Sequence, residues 1–297
     1  MSELWTSLTK DFYRIICGPI FINMEQKTIL ITGCSSGIGY ATAAYLRKKG
    51  YRVFATCRKQ KDVKILQRKG FESFLLDVSS SESINKAIME VKKRTKCLYA
   101  LFNNAGFVIP GAVEDLSRNT LRVQFETNIF GAIELTNSIM PLFRKQKKGR
   151  IIFNSSVLGF VSAPYKSAYS ASKYAMEAFS DSLRLETPIG IHVTLIEPGP
   201  VKTKIDENAL NNFKKYIDQK NSAHADIYKK HLLRLSEEKL VNFFRLPAHK
   251  VAVKVYYILE HTKPRPRYYI TITTYIMGYL KRILSSRMMD RLISRAS

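Results

Sequence analysis

The sequence predicts an α/β fold, a doubly wound parallel sheet in a single domain with a helical lid. Three observations carry this. Short β-rich runs alternate with helix-patterned segments from Lys27 to Glu197. The strand runs are apolar throughout, not at every second position, as strands covered on both faces are. The first strand also leads through glycines and serines directly into a helix.

The elements follow in order. Residues 1–26 form an extension without a clear period, in which Met24 is a candidate second start. Thr28 to Thr32 read as the first strand and Ala41 to Lys49 as a helix of good helix formers ending in basic residues. Tyr51 to Thr56 and Phe74 to Val78 are the next strands. Ser81 to Lys93 is a helix with serine at its start, and Leu98 to Phe102 the fourth strand. A helix around Leu121 to Gln146, a strand Arg150 to Asn154, a helix Ala168 to Glu186 and a strand His192 to Glu197 complete the rhythm. It breaks after Pro198-Gly199-Pro200 into a polar and aromatic stretch, about residues 200–246, of the length expected for a lid. Val251 to Glu260 resumes as a helix, Tyr268 to Thr273 as a strand and Tyr275 to Ser294 as a helix. Without repeats or a linker, residues 27–297 read as one domain.

Composition narrows the function classes. The 297 residues are 45% hydrophobic and 11% aromatic, which excludes a disordered chain or a disulfide miniprotein. Cys17, Cys34, Cys57 and Cys97 are scattered singly, as thiols of a reducing compartment are, and the five histidines show no ligand spacing, so no metal is expected. No run reaches the roughly 18 apolar residues of a membrane span. Glu3 and Asp11 stand where a secretory signal would be basic. A cytoplasmic protein is the expectation. The formal charge of +24 raises nucleic acid and anionic membranes as partners, but no nucleic-acid motif is recognisable, so nucleic acid is not expected.

The chemistry starts at the turn Thr32-Gly33-Cys34-Ser35-Ser36-Gly37-Ile38-Gly39. Glycines there permit a tight turn and close backbone approach, so a pyrophosphate can rest on the amides of the helix N-terminus. Gly33 to Gly37 also fits a G-x-S-x-G nucleophile elbow. That reading fails on position, because the turn follows the first strand and no oxyanion-loop glycines precede it. At the end of the second strand an acid would bind the free 2′-hydroxyl of NAD. Here Cys57-Arg58-Lys59 stands with no acid before Asp62, which favours the 2′-phosphate of NADP(H). Asn103-Asn104-Ala105-Gly106 follows the fourth strand. Tyr169 and Lys173 are four residues apart on one helix and share a face, where an ammonium favours phenolate and lowers the tyrosine pKa from about 10.

In this order, these residues resemble the short-chain dehydrogenase/reductase family in its shorter, single-domain form. The matching positions are Thr32 to Gly39, Asp77-Val78, Asn103 to Gly106, Asn128, Ser156, Tyr169 with Lys173, and Pro198-Gly199. The resemblance covers about Lys27 to Thr203. The remainder is similar to retinol-dehydrogenase-like and 17β-hydroxysteroid-dehydrogenase-like members, including bacterial NADP-dependent aldehyde reductases. It implies a Rossmann-type domain, an NADP(H)-dependent oxidoreductase and a homo-oligomer. Tyr169 would exchange the proton at a carbonyl oxygen that Ser156 also binds. Lys173 would hold the nicotinamide ribose and shift Tyr169, and Asn128 would anchor a water leading to solvent. The cofactor would meet Gly33, Ser35, Ser36, Gly37, Ile38, Gly39 and Arg58, then Asp77 and Val78 at the adenine. Asn104, Ala105 and Gly106 would line the cleft, with Pro198, Gly199, Val201 and Thr203 at the nicotinamide. Ser155 is the decoy beside Ser156, sent to the opposite side by strand alternation.

Candidate pocket positions are Phe107, Val108 and Ile109, then Val157, Leu158 and Phe160. From the lid come Phe213, Tyr216, Ile217, Tyr228, Phe243 and Phe244. Most are apolar, which suits a lipophilic aldehyde, ketone or alcohol. The alternatives are a non-catalytic NADP- or nucleic-acid-binding protein, or a membrane-associated lipid-carbonyl reductase. From Lys263 onward eight basic residues face one acid, Asp290. Within the last helix, about 275–294, Ile276, Leu280, Ile283, Leu284, Met288 and Leu292 recur at helical spacing among basic residues. Such a helix can lie peripherally at a membrane's inner face, or pack on its own domain or a partner subunit; docking on protein is the favoured reading.

Overall fold

The computed structural model describes residues 26–236 and 245–296. The first 25 residues, with Cys17 and Met24, and the lid aromatics Phe243 and Phe244 lie outside the described residues.

The chain alternates β1 (Thr28–Ile31), α1 (Gly37–Lys48), β2 (Arg52–Cys57), α2 (Gln60–Arg68), β3 (Glu72–Leu75), α3 (Ser81–Arg94) and β4 (Ala100–Asn103). It continues through α4 (Arg118–Phe125), a π-helical turn (Glu126–Phe130), α5 (Gly131–Gln146), β5 (Gly149–Asn154), α6 (Ser167–Glu186) and β6 (Ile191–Glu197). Seven strands form one sheet in the order β3-β2-β1-β4-β5-β6-β9, where β9 is Arg267–Tyr269. All its pairings are parallel. The strand order reverses between β1 and β4, which opens a crevice at the carboxyl ends of those strands.

Strand alternation explains the two cores. Leu30, Phe54, Leu101 and Phe153 point to one face and meet Ile84, Leu135, Phe143 and Met176 of α3, α5 and α6. Ile29, Ile31, Val53 and Phe102 point to the other and meet Ala43, Leu46 and Val63 of α1 and α2, together with Val251 and Val255 of α9 (Ala248–Glu260). Both faces are covered, so the strands are apolar at every position. Cys34 and Cys57 are buried thiols of the second core.

The structure departs from the sequence reading in four places. Helix α2 was not expected, since its stretch is mostly charged or polar and only Val63 and Leu66 are buried. The expected helix Leu121 to Gln146 starts at Arg118, capped by Ser117, and passes through the π-helical turn that carries Asn128. The strand expected over Tyr268 to Thr273 ends at Tyr269, because the Thr271 hydroxyl accepts from the Thr274 amide (3.3 Å) and starts a helix instead. The single helix expected over Tyr275 to Ser294 is two, α10 (Ile272–Ile283) and α11 (Ser286–Ala296). The Ser285 carbonyl accepts from the Met288 and Met289 amides, both at 3.0 Å, so the chain restarts where serines compete with the helix. The polar stretch after Pro200 holds α7 (Ile205–Tyr216) and α8 (Ala225–Ser236), preceded by β7 (Val201–Lys202), which pairs with β8 (Leu246–Pro247). No helix among the described residues is long and apolar enough to cross a membrane.

Candidate active site

The glycine turn joins β1 to α1 at the reversal of strand order. Gly33 and Gly37 take φ of +71° and +60°, which L side chains rarely adopt. A Cβ on Gly39 would stand 2.3 Å from the Gly33 carbonyl oxygen, so α1 approaches the turn closely only with glycine there. Ser36 caps α1 without a side-chain hydrogen bond, and no acid sits in the first turn. These features fit a dinucleotide pyrophosphate, which needs bare amides and close backbone approach.

Thr32, which the sequence reading placed at the end of the first strand and the start of the turn, holds this cradle to the next one. Its Oγ1 accepts from the amides of Asn104 (2.9 Å) and Ala105 (2.8 Å), while Asn104 Nδ2 donates to the Thr32 carbonyl (2.8 Å). Asn154 Nδ2 then donates to Asn104 Oδ1 (3.0 Å), and Lys173 Nζ donates to the Asn154 carbonyl (2.6 Å). A continuous hydrogen-bonded path thus runs from the glycine turn to Lys173 of α6. Only the polarity of Thr32 and Asn154 at strand ends signals it in sequence.

The predicted site residues converge on this path. Gly106 lies beside Asn128 and Lys173, 3.2 Å from Asn128 Oδ1 and 3.8 Å from Lys173 Nζ at its would-be Cβ. Asn128 is fully buried; its Oδ1 accepts from the Phe107 amide (3.1 Å) and its Nδ2 donates to the Phe107 carbonyl (3.1 Å) and Ser172 Oγ (3.0 Å). A π-helical turn, common at functional positions, presents it there. Ser156, Tyr169 and Lys173 are all buried, and the lysine ammonium lies 5.6 Å from the Tyr169 ring centroid. Burial pushes the Tyr169 phenol up to about 12, and the Ser156 hydroxyl bonded to it pulls the other way. The downward pull that the sequence reading assigns to Lys173 comes here from Ser156. Burial draws Lys173 itself down to about 8, against the opposing charge of Glu177.

Glu177, on the same helix one turn beyond Lys173, belongs to a buried acidic group that the sequence reading passed over. It lies 3.1 Å from Arg267 Nε, and Glu197, at the end of β6, lies 3.3 Å from the same nitrogen. Burial and the facing Glu177 hold Glu197 above the carboxylate range, and burial raises Glu177 as well. Arg267 also pairs with Asp181 (2.5 Å). The Lys-to-Glu spacing of four along α6 was the available signal.

The other positions that the sequence reading proposed for the cofactor are placed as follows. Arg58 and Lys59 are exposed directly after β2. Asp77 Oδ1 accepts from the Ser79 amide (3.0 Å) and hydroxyl (2.7 Å), while Val78 is buried. Thr203 packs 3.2 Å from the would-be Cβ of Gly37, Val201 is buried in β7, and the Pro198 carbonyl accepts from the Val157 amide (2.9 Å) beside Ser156. Ser35 is exposed and Ile38 half-buried.

Half of the described pocket candidates are core. Val108 and Ile109 are buried, and Phe213, Ile217 and Tyr228 form a small cluster with Ala112. Asn212 Nδ2 fastens α7 to the Val108 carbonyl (2.9 Å), and the Tyr228 hydroxyl accepts from the Ala112 amide (2.8 Å). Phe107, Val157, Leu158, Phe160 and Tyr216 are half-buried.

The chain is similar to known proteins in sequence and in fold. The family described as short chain dehydrogenase matches residues 27–213. The chain is 40% identical over 288 residues to the uncharacterized oxidoreductase YbbO of Escherichia coli strain K12, covering 96% of this chain and 99% of that protein. It is 37% identical over 238 residues to retinol dehydrogenase 7 of Mus musculus, covering 77% and 73%. Among solved structures, a short-chain dehydrogenase from Streptomyces avermitilis superposes with a TM-score of 0.74 at 27% identity, covering 92% of this chain and 98% of that one. Matched in sequence along nearly its whole length and in the fold around its glycine turn, the chain belongs to the short-chain dehydrogenase family of oxidoreductases.

Proposed function

We propose that this oxidoreductase catalyses NADP(H)-linked reduction of a lipophilic aldehyde or ketone, or the reverse oxidation, with Tyr169 as general acid/base. The observation that carries the reading is the burial of Ser156, Tyr169 and Lys173 as one interacting group tied by hydrogen bonds to the glycine turn.

The residues that would hold the dinucleotide are the turn Gly33 to Gly39, Asn104 to Gly106, Lys173, and Pro198 to Thr203. Arg58, with Lys59, would take the 2′-phosphate, since both stand exposed after β2 where NAD-binding chains place an acid. When bound, the nicotinamide supplies the hydride to the carbonyl carbon or takes it back. Ser156 donates to the carbonyl oxygen and fixes its position. As charge builds on that oxygen, Tyr169 delivers its phenolic proton. Burial keeps the phenol protonated through neutral pH, so the donor is loaded before the reaction. Lys173, held by the Asn154 carbonyl, brings positive charge to the phenolate that remains.

The half-buried Phe107, Val157, Leu158 and Phe160, which follow β4 and Ser156 in the chain, favour an apolar substrate. The relative named for retinol, a lipophilic alcohol, supports the same class. An NADPH-oxidation screen across lipophilic aldehydes, retinoids, steroids and quinones, run in parallel with NADH, tests this. The expected result is turnover with NADPH at least about tenfold above NADH, a difference one charge-assisted phosphate contact supports. Equal use of NADH, or turnover confined to small polar carbonyls, would overturn it.

A further inference from the structure

Helix α10 is built inside out. Its buried positions are Thr274 and Gly278, with the cap Thr271. Its apolar side chains Ile272, Tyr275, Ile276, Tyr279 and Ile283 recur at the spacing of one helical face. That face points to water: Ile272 is 79% exposed and Tyr279 66%. The sequence reading favoured a helix whose apolar face docks on protein; of the residues it named, Ile276, Ile283, Met288 and Leu292 are exposed, while Leu280 and Leu284 are half-buried.

Close packing fixes the inversion. A Cβ on Gly278 would stand 2.5 Å from Tyr269 Cε2, and a Cβ on Gly199, beside the serine loop, 2.2 Å from Thr271 Oγ1. Only small side chains fit beneath α10, so the helix cannot roll to bury its stripe. The face also adjoins the active site. Phe160, four residues beyond Ser156, stacks on Tyr269 at 5.5 Å, and Tyr269 meets Tyr275 of the stripe at 5.3 Å.

Charge selects the occupant. Within α10 and after it in the chain come Lys281, Arg282, Arg287, Arg291 and Arg295, with Asp290 the single acid from Ile272 onward. A twofold contact with a second copy would bring this cationic segment near its own copy, and a chain of net +24 offers little negative surface elsewhere. An anionic lipid surface satisfies both features, with apolar side chains entering the headgroup boundary and lysine and arginine meeting the phosphates. Tyrosines within the stripe suit that boundary, being apolar in body and polar at the tip. At 12 residues α10 is too short to span a bilayer, so it would lie in the plane of the interface.

We propose that the outward face of α10, with the basic residues within and after it, docks this protein onto an anionic lipid bilayer, placing the substrate side of the site against the membrane. The docking stands on this face alone and does not depend on the identity of the substrate or cofactor.

The test is co-sedimentation of the full chain with vesicles of phosphatidylglycerol and phosphatidylcholine, and with phosphatidylcholine alone. Wild-type protein is expected to pellet with the anionic vesicles, weakly with the neutral ones, and less as salt rises. The double variant Ile276→Asp, Tyr279→Asp should lose anionic-vesicle affinity by at least about tenfold, as removal of two buried apolar contacts predicts. Its melting temperature should stay unchanged, because both side chains are exposed. A second variant, Arg287→Gln with Arg291→Gln, should weaken binding to anionic vesicles while leaving the residual neutral-vesicle signal. Wild-type protein that stays in the supernatant, or a double variant that pellets undiminished, would overturn the proposal. So would a double variant whose particle mass falls by half in light scattering, since the stripe would then be a contact between copies.

Discussion

Two glycines, Gly39 and Gly278, meet the same demand and lead to opposite outcomes. At each, a Cβ would collide with a neighbour, the Gly33 carbonyl in one case and the Tyr269 ring in the other. At Gly39 the close approach brings α1 onto the sheet with its apolar residues inward and its N-terminal amides toward the crevice. At Gly278 it brings α10 onto Tyr269 with small residues inward and the apolar stripe outward. The lesson is that close packing fixes a helix's orientation, and whatever remains on its other face becomes the surface the molecule offers.

Substituting both glycines separates the two regions most sharply. Gly39→Ala forces the backbone at the turn, which cannot give as a side chain does. NADPH affinity should fall about 100-fold, equivalent to about 3 kcal/mol, as read by titration of nucleotide fluorescence. Gly278→Ala meets a ring that can shift, so it should lower stability by about 1–3 kcal/mol in chemical denaturation while leaving NADPH affinity unchanged. Equal losses of cofactor affinity in both would erase the distinction.

Thr32→Val tests the crevice side alone. It removes the acceptor of the Asn104 and Ala105 amides, and two donors left without a partner should cost about 2 kcal/mol of stability with a raised KM for NADPH. An unchanged KM would mean that the path from the glycine turn to Asn154 does not position the cleft.

Glu197 lies on the seam between the regions, next to Pro198-Gly199 and against Arg267 of β9. Its carboxyl is held protonated above the ordinary carboxylate pKa of about 4.3, so the folded state binds more protons than the unfolded one as pH rises. That contribution is present at low pH and is lost as pH climbs past the carboxylate range. Wild-type stability should therefore fall by about 1–2 kcal/mol between about pH 6 and 7, and Glu197→Gln should flatten that slope. A variant with the wild-type slope would show that Glu197 is ionised in the fold.

The smallest effect belongs to the rim of the crevice. Arg58→Ala should raise the KM for NADPH about tenfold, about 1.4 kcal/mol, and leave that for NADH unchanged in steady-state assays. An equal rise for both nucleotides would remove Arg58 from the discrimination.

Much of the sheet and the shared face of Tyr169 and Lys173 were legible because they rest on local pattern. Continuous apolar runs such as Thr28 to Thr32 mark strands buried on both faces, and the i, i+4 pair Tyr169 and Lys173 shares a helix face in any context. What was not legible depends on tertiary partners. Thr32 acquires its role only when β4 brings Asn104 beside it, and Glu177 and Glu197 meet only because β6 and α6 pack together around Arg267. Helical period revealed an apolar stripe near the C-terminus, but period carries no information on which way the stripe faces. Gly278 and Thr274, which carry no apolar bulk to mark them, are the packed side. The break at Ser285 was hidden because apolar spacing continues across it.

The central claim, that Tyr169 transfers the proton in a hydride-transfer site, is tested most directly by Tyr169→Phe in a single-turnover experiment. Variant enzyme is mixed with NADPH and a carbonyl substrate that the wild type reduces, and nucleotide oxidation is followed together with NADPH binding. The account predicts unchanged NADPH affinity and a rate lowered by about 1000-fold, the scale of a lost general acid. Oxidation of NADPH at the wild-type rate by the phenylalanine variant would contradict it.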